Sequence, residues 1–431
     1  MGSVSAGERV GLHIIGAFGD ASRRLTSALF TDEYLASRFF IKSFSDVYPK
    51  ERVLEDIEGV FSQAESRMRS GMNTKARKEM CNGITEKNIK YYQLDRDNPE
   101  LDGELLEGVE QNDVIDISVP NRFHVPLLKQ ALSRGKNSLV EKPLASRPKE
   151  INELNEFMHT LDGYLENKCL IKDAEHYSHY PNVLYFIGNF RNYREGLDGF
   201  PSFGKVTGIE LHIEEGEDFN CARNREIIHI PKSGGGVWLD MGVHALAFLR
   251  GIGAHINYRN IYAMPFKHFD TRIMGEEFGE TAMHARMEIC PDEFYKEGCM
   301  AEIIVGKAMG RDKKEFIINF EKGCAIINIK PKELRYISSG KFSMQKFEGE
   351  PFSNVLRDVW DCLFRSARPI TGIDAAILNV GDVFIVYREA KKSRNASALG
   401  SLPDFEESEI IYDESGYSSG AGIAKKGKKL K

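Results

Sequence analysis

The chain has 431 residues, 42% apolar and 28% charged, which excludes a mainly disordered or fibrous chain and makes two or three domains the expectation. Its 58 basic and 64 acidic residues give a net charge of −6; there is no basic stripe and no run nears the ~18 apolar residues of a membrane span, so neither a nucleic-acid nor a membrane partner is expected. The seven Cys form no CxxC pair and the N-terminus has no apolar signal region, which points to a cytoplasmic protein without a disulfide framework or a zinc ribbon.

Residues 9–16 read as a short buried strand that stops at Gly16. A helix is expected over 20–36, with Asp20 or Ser22 as its cap, and a second strand over 38–45 ends at Asp46. Strand, glycine turn, helix, strand is a βαβ unit with a right-handed parallel crossover. Residues 50–88 are polar and charge-rich. Further strands are expected at 89–94, 114–120, 137–143 and 168–174, with helices at 101–111, 122–134 and 149–161 between them. That alternation predicts a doubly wound parallel sheet. From about 203 to 348 the runs KVTGIELHIEE, RNIYAMPF, MAEIIVGKA, KEFIINF, CAIINIK and ELRYISS predict a mostly antiparallel sheet. Helices return at 353–366 and 372–391. The expected domains are 9–175 and 176–402, followed by an acidic, then Lys-rich tail (403–431) expected to be disordered. Residues 421–431 alone hold five Lys and no acid, so the other 420 residues carry a net charge of −11.

Four stretches carry chemistry. In IIGAFGDASRR, Gly16, Phe18, Gly19 and Asp20 form a glycine turn between strand and helix, where a backbone can approach a pyrophosphate at a helix N-terminus. The turn departs from GxGxxG at Phe18 and Ala21, and on its own it is also compatible with a plain strand–helix connection. Asp46, at the end of the second strand, can accept from the adenosine ribose and repel a 2′-phosphate, which favours NAD. Ser43, Ser45, Lys50 and Arg52 lie near enough to bind that phosphate, which keeps NADP open.

Third, VIDISVPNRFH and NSLVEKP place Pro120, Asn121, His124, Glu141 and Lys142 after two buried strands, at the edge where parallel sheets bind ligands. Lys142, between an apolar strand and Pro143, is poorly placed for a solvated face and can hydrogen-bond a substrate hydroxyl. Fourth, SGGGVWLDMGVHALAFL carries Asp240 and His244 at i, i+4, on one helix face. A His there can take the proton of an alcohol, and the carboxylate can orient it; a buried structural His is the plainer alternative. No third ligand at clear spacing accompanies the pair, so no metal is expected.

Together these motifs resemble the glucose–fructose oxidoreductase/inositol dehydrogenase (Gfo/Idh/MocA) family over about 9–402. The resemblance rests on VIDISVPNRFH, ALSRGKNSLVEKPLA, DAEHYSHYP, FGKVTGIELHI, GGGVWLDMGVHAL and PITGIDAAILNVGDVFIVYREAKKS. It implies an α/β fold, with a Rossmann domain followed by an α/β domain whose large open sheet serves self-association as a dimer or tetramer. It implies NAD or NADP and a sugar, polyol or related carbonyl as substrate. In family terms Lys142 sits at the catalytic centre, His244 is the acid/base and Asp240 its partner. Glu175, His176 and Tyr177 match the stretch that lines the substrate pocket, with Trp238 facing substrate. GAFGDASRR and the EKP region also resemble glucose-6-phosphate dehydrogenases, which raises a phosphorylated sugar, with Lys172, His176 or Arg223 as phosphate contacts. A sensor that binds a dinucleotide without turnover, or an enzyme that retains NAD for net non-redox chemistry, also fits the residues.

Overall fold

The computed structural model describes residues 9–67, 85–161, 169–197, 203–216, 226–267 and 278–393, together with 402, 403 and 405. Arg223 and nearly all of the expected tail lie outside the described residues.

The chain forms two compact units. The first comprises residues 1–145, 153–179 and 349–376. Its six strands are β1 (Val10–Ile15), β2 (Phe39–Asp46), β3 (Thr85–Gln93), β4 (Val114–Ile117), β5 (Asn137–Val140) and β6 (Ile171–Asp173). All pair in parallel, in the order β3-β2-β1-β4-β5-β6. The order reverses between β1 and β4, and that switch point is where such sheets open a ligand crevice beyond the strand ends. β1 is buried along its whole length, as a strand covered on both faces must be. The helix expected at 20–36 splits in two, because the Asp32 carboxylate accepts from the N–H groups of Tyr34 and Leu35 and starts a new turn. The late helix Pro351–Arg365 returns to this unit. Its Phe352, Val355, Leu356, Val359 and Trp360, at helical spacing, enter the same core as Leu12, Ile14, Leu29 and Phe39. The chain thus re-enters the first unit long after residue 175, an excursion that one linear boundary does not carry.

The second unit comprises residues 146–152, 180–348 and 377–431. It holds an eight-stranded sheet in the order β14-β13-β12-β11-β7-β10-β9-β8. The strands are β7 (Val206–Glu214), β8 (Ile256–Phe266), β9 (Ala282–Ile289), β10 (Tyr295–Gly306), β11 (Lys313–Phe320), β12 (Gly323–Asn328), β13 (Glu333–Ser338) and β14 (Lys341–Lys346). Pairing is antiparallel except between β7 and β10. The fold is the α/β class expected, with a parallel sheet and a larger, mostly antiparallel one. The sequence reading omitted β9, β14 and the helix Pro181–Arg194. β14 is exposed at every residue, so it lacks the buried face that the reading sought.

Candidate functional site

At the end of β1 the chain turns on Gly16, whose φ is +85°. Its N–H donates to the Ser45 carbonyl at 2.7 Å. A Cβ here would stand 2.4 Å from the Ser118 carbonyl oxygen, so the exits of β1 and β4 meet at a point that only glycine fits. Gly19 donates back to the Gly16 carbonyl at 2.9 Å and precedes the helix Asp20–Thr31, whose N-terminus has no side-chain cap. Asp46 holds the turn from the side. Its Oδ2 accepts from Phe18 N–H at 2.8 Å and its Oδ1 from Tyr48 N–H at 3.1 Å. The Phe18 ring packs on Tyr48, with the Arg23 and Arg52 guanidinium groups over it at 4.6 and 4.8 Å. Asp20 pairs with Arg24 on the surface.

Beyond β4, Pro120 precedes the short turn Asn121–Phe123. The structure corrects the expectation for His124 as a direct cofactor contact. Its ring is buried, with Nδ1 and Nε2 each 2.8 Å from a carbonyl oxygen, of Pro143 and Val119. It ties the exits of β4 and β5 together. Burial holds its pKa below the usual histidine value, with Lys142 adding to the effect. Lys142 follows β5, half-buried, and its peptide to Pro143 is cis. The buried Glu141 accepts from Lys142 N–H at 3.1 Å. Burial pushes the carboxyls of Asp116, Glu141 and Asp173 up to about 7, about 8 and about 8, against the pull of the Lys142 charge on the last two.

The stretch after β6 corrects further expectations. Lys172 is fully buried and donates to Asp358 and, at 3.2 Å each, to His179 Nε2 and Thr371. Its three donors are spent, so it holds no substrate phosphate. Glu175 is fully buried, and its oxygens accept from Tyr177 N–H at 2.9 Å and Ser178 N–H at 2.8 Å. It caps a turn instead of lining a pocket. Tyr177 is buried, while His176 is half-buried and stacks on Phe352.

In the second unit, Asp240 sits in a π-helical turn, Trp238–Gly242, that runs into the helix Val243–Gly251 bearing His244. Such turns are rare and concentrate at functional sites. His244 is buried; Asp240 is half-exposed, with Oδ2 3.8 Å from Lys307 Nζ. Lys307 donates to Glu215 at 2.6 Å, and Lys314 donates to the other oxygen of that carboxylate at 2.6 Å. Burial raises the Glu215 carboxyl, but the two lysines outweigh it and hold it at about 2. Trp238 is not a pocket wall. It is fully buried, Nε1 donates to the Val383 carbonyl at 3.2 Å, and its ring lies so close to Gly242 that a Cβ there would stand 2.6 Å from it.

A family model described as an oxidoreductase family with an NAD-binding Rossmann fold, GFO_IDH_MocA, matches residues 35–165. Residues 35–165 belong to the Gfo/Idh/MocA family. The resemblance stated from the motifs holds, and so does the NAD cofactor read from them. The match begins after the turn at Gly16, which departs from the usual glycine pattern. Solved structures with the same fold include an aldose-aldose oxidoreductase from Caulobacter crescentus complexed with glycerol, 16% identical, TM-score 0.64, covering 90% of this chain and 98% of that one. A levoglucosan dehydrogenase in complex with NADH and levoglucosan is 12% identical, TM-score 0.63, with coverage of 89% and 98%. A UDP-N-acetylglucosamine 3-dehydrogenase from Acidithiobacillus ferrooxidans is 13% identical, TM-score 0.59, with coverage of 89% and 98%. No curated protein matches the sequence.

Among the described residues, no three His, Cys, Asp or Glu side chains could together hold a metal ion, and no helix is long and apolar enough to cross a membrane. Sequence reasoning missed Lys307 and Glu215 beside Asp240, and Glu280 and Tyr387 beside the glycine run. Tyr387 lay inside a quoted family motif, but nothing in its spacing named a partner.

Proposed function

We propose that this oxidoreductase is an NAD(P)-dependent dehydrogenase of a sugar, polyol or sugar phosphate. The observation that carries the reading is the edge built at the β1/β4 switch point. A glycine cradle opens onto an uncapped helix N-terminus, and Lys142 stands at the neighbouring β5 exit. The Gly16–Gly19 turn fits a dinucleotide, because it leads into a helix whose N-terminus has no side-chain cap and whose first N–H groups favour an anion. When bound, the nicotinamide supplies hydride exchange with a carbinol carbon. His244 takes the proton of the reacting hydroxyl. Lys142 donates a hydrogen bond to a substrate oxygen as charge builds there. Asp240, 3.8 Å from Lys307, orients the imidazole. The named dehydrogenases of the same fold support a sugar-like substrate.

The test is a thermal-shift titration with NAD and with NADP, followed by NADH or NADPH absorbance against levoglucosan, UDP-N-acetylglucosamine, glucose, myo-inositol and glucose 6-phosphate. Stabilisation by one dinucleotide together with turnover of one of these substrates is the expected outcome. Stabilisation with no turnover of any would favour the sensor.

A further inference from the structure

The helix that bears His244 starts without any cap from its own sequence. The residue before the π-turn is Val237, which makes no side-chain cap, and the preceding three residues are Gly234, Gly235 and Gly236. A helix start leaves its first N–H groups without intrahelical partners, and leaving them buried and unsatisfied is costly. Here those groups are satisfied from two distant parts of the chain. Gly236 N–H donates to Tyr387 Oη at 3.0 Å, and Leu239 N–H donates to the same oxygen at 3.2 Å. Trp238 N–H donates to Glu280 Oε1 at 2.8 Å, and Val237 N–H to the Glu280 carbonyl at 3.1 Å. The Tyr387 hydroxyl then donates to Glu280 Oε1 at 2.8 Å. One phenol oxygen takes two N–H groups and gives one proton, which uses its whole hydrogen-bonding capacity.

The glycine run follows from this arrangement. Gly234 has φ +84°, and a Cβ there would lie 2.1 Å from the Ser146 carbonyl oxygen. A Cβ on Gly235 would stand 2.9 Å from Tyr387 Oη, and one on Gly236 would stand 2.2 Å from Glu280 Oε2. Two of the three glycines are therefore bare because the capping side chains occupy the space. Glu280 and Tyr387 are both buried. Burial raises both groups, the Glu280 carboxyl to about 7 and the Tyr387 phenol well above its ordinary value, so the phenol remains a donor.

We propose that Glu280 and Tyr387 are positioning residues that cap the π-turn from outside and so set the placement of Asp240 and His244. The pair touches neither substrate nor cofactor in this account. The catalytic half of the inference rests on the reading that Asp240 and His244 perform proton transfer; the capping half does not.

The test uses the full chain and the variants Tyr387→Phe, Glu280→Gln and Glu280→Ala. Amide hydrogen exchange is followed over residues 236–246 and, as an internal reference, over β10 to β12. Tyr387→Phe removes the acceptor of two N–H groups, so exchange over 236–240 should rise about tenfold while the reference strands keep their protection. Glu280→Gln keeps an acceptor at the Oε1 position and should restore most of the protection lost in Glu280→Ala. If Glu280→Ala does not fold, Tyr387→Phe and Glu280→Gln still decide the matter. With a sugar that turns over in the panel above, Tyr387→Phe should lower kcat about tenfold or more with KM changed less than about threefold. Exchange over 236–240 that matches wild type, or that rises equally in β10 to β12, overturns the cap. Enhanced local exchange with unchanged kcat keeps the cap and overturns its catalytic consequence. Exchange needs no substrate, so an inactive wild type counts against the dehydrogenase reading and leaves the cap decided.

Discussion

Two glycine-rich turns in this chain look alike in sequence, yet they differ in what becomes of the N–H groups that follow. At Gly16–Gly19 the glycines make room for backbone: the Ser118 carbonyl presses on Gly16, and the helix Asp20–Thr31 begins with no side-chain cap. At Gly234–Gly236 they make room for Tyr387 and Glu280 as well, and the N–H groups of residues 236 to 239 are all taken. An uncapped helix behind a bare turn suits an anionic ligand, whereas a helix capped from outside suits a fixed side chain. In the proposed function the first turn serves binding and the second positioning.

That division can be broken by placing a single Cβ in each turn. Gly236→Ala puts its methyl on the Glu280 carboxyl and should lower turnover about 100-fold with dinucleotide affinity intact. Gly16→Ala combines a positive φ with a contact to the Ser118 carbonyl and should weaken dinucleotide binding about 10- to 100-fold, read by titration calorimetry. The opposite pattern, with affinity lost at Gly236 and turnover alone lost at Gly16, would dissolve the distinction.

A milder probe is Asp46→Ala, which frees the N–H groups of Phe18 and Tyr48. Dinucleotide affinity should fall about tenfold, with kcat at saturating cofactor unchanged. A ribose contact would add selectivity to that loss, so comparing NAD with NADP in the variant separates a clamp on the turn from a contact to the cofactor.

The smallest effect expected is on stability against pH. Asp116, Glu141, Asp173 and Glu280 have folded pKa values of about 7 to about 8, raised by burial above the ~4 of an unfolded carboxyl. Their contribution is fully present below pH ~4 and is lost as pH rises through 7 to 8. Glu215 and Asp358 are held at about 2, so theirs is present above pH ~4 and lost as pH falls toward 2. Urea denaturation should show stability declining from pH 5 to pH 8, and Asp116→Asn should flatten the decline.

The parallel sheet was legible because buried strands and amphipathic helices alternate at regular length, and the EKP and Gly-rich stretches placed Lys142, Asp240 and His244 at strand and helix ends. What the sequence withheld was contact between distant residues. Glu175, Lys172 and His124 carry the chemistry of ligand contacts, but Glu175 is taken up by the turn at Tyr177, Lys172 by Asp358, and the His124 ring is buried between two backbone carbonyls. Trp238 follows a glycine run and reads as a pocket wall, but its ring fills core space beneath Gly242. Glu280 and Tyr387 stand about 100 residues apart, and neither has a local signal; only the fold shows that their oxygens close the same helix. A buried polar side chain advertises its chemistry in sequence but not whether that chemistry is already used.

The central claim is that Lys142 and His244 each take part in the proposed dehydrogenase chemistry. It is tested most directly by cofactor-linked turnover of wild type, Lys142→Met, His244→Ala and the double variant on one active sugar, with NAD affinity measured alongside. The account predicts that each single change lowers kcat about 10²- to 10⁴-fold with NAD affinity preserved, and that the double variant is little worse than the poorer single. Near wild-type turnover in both single variants would contradict it.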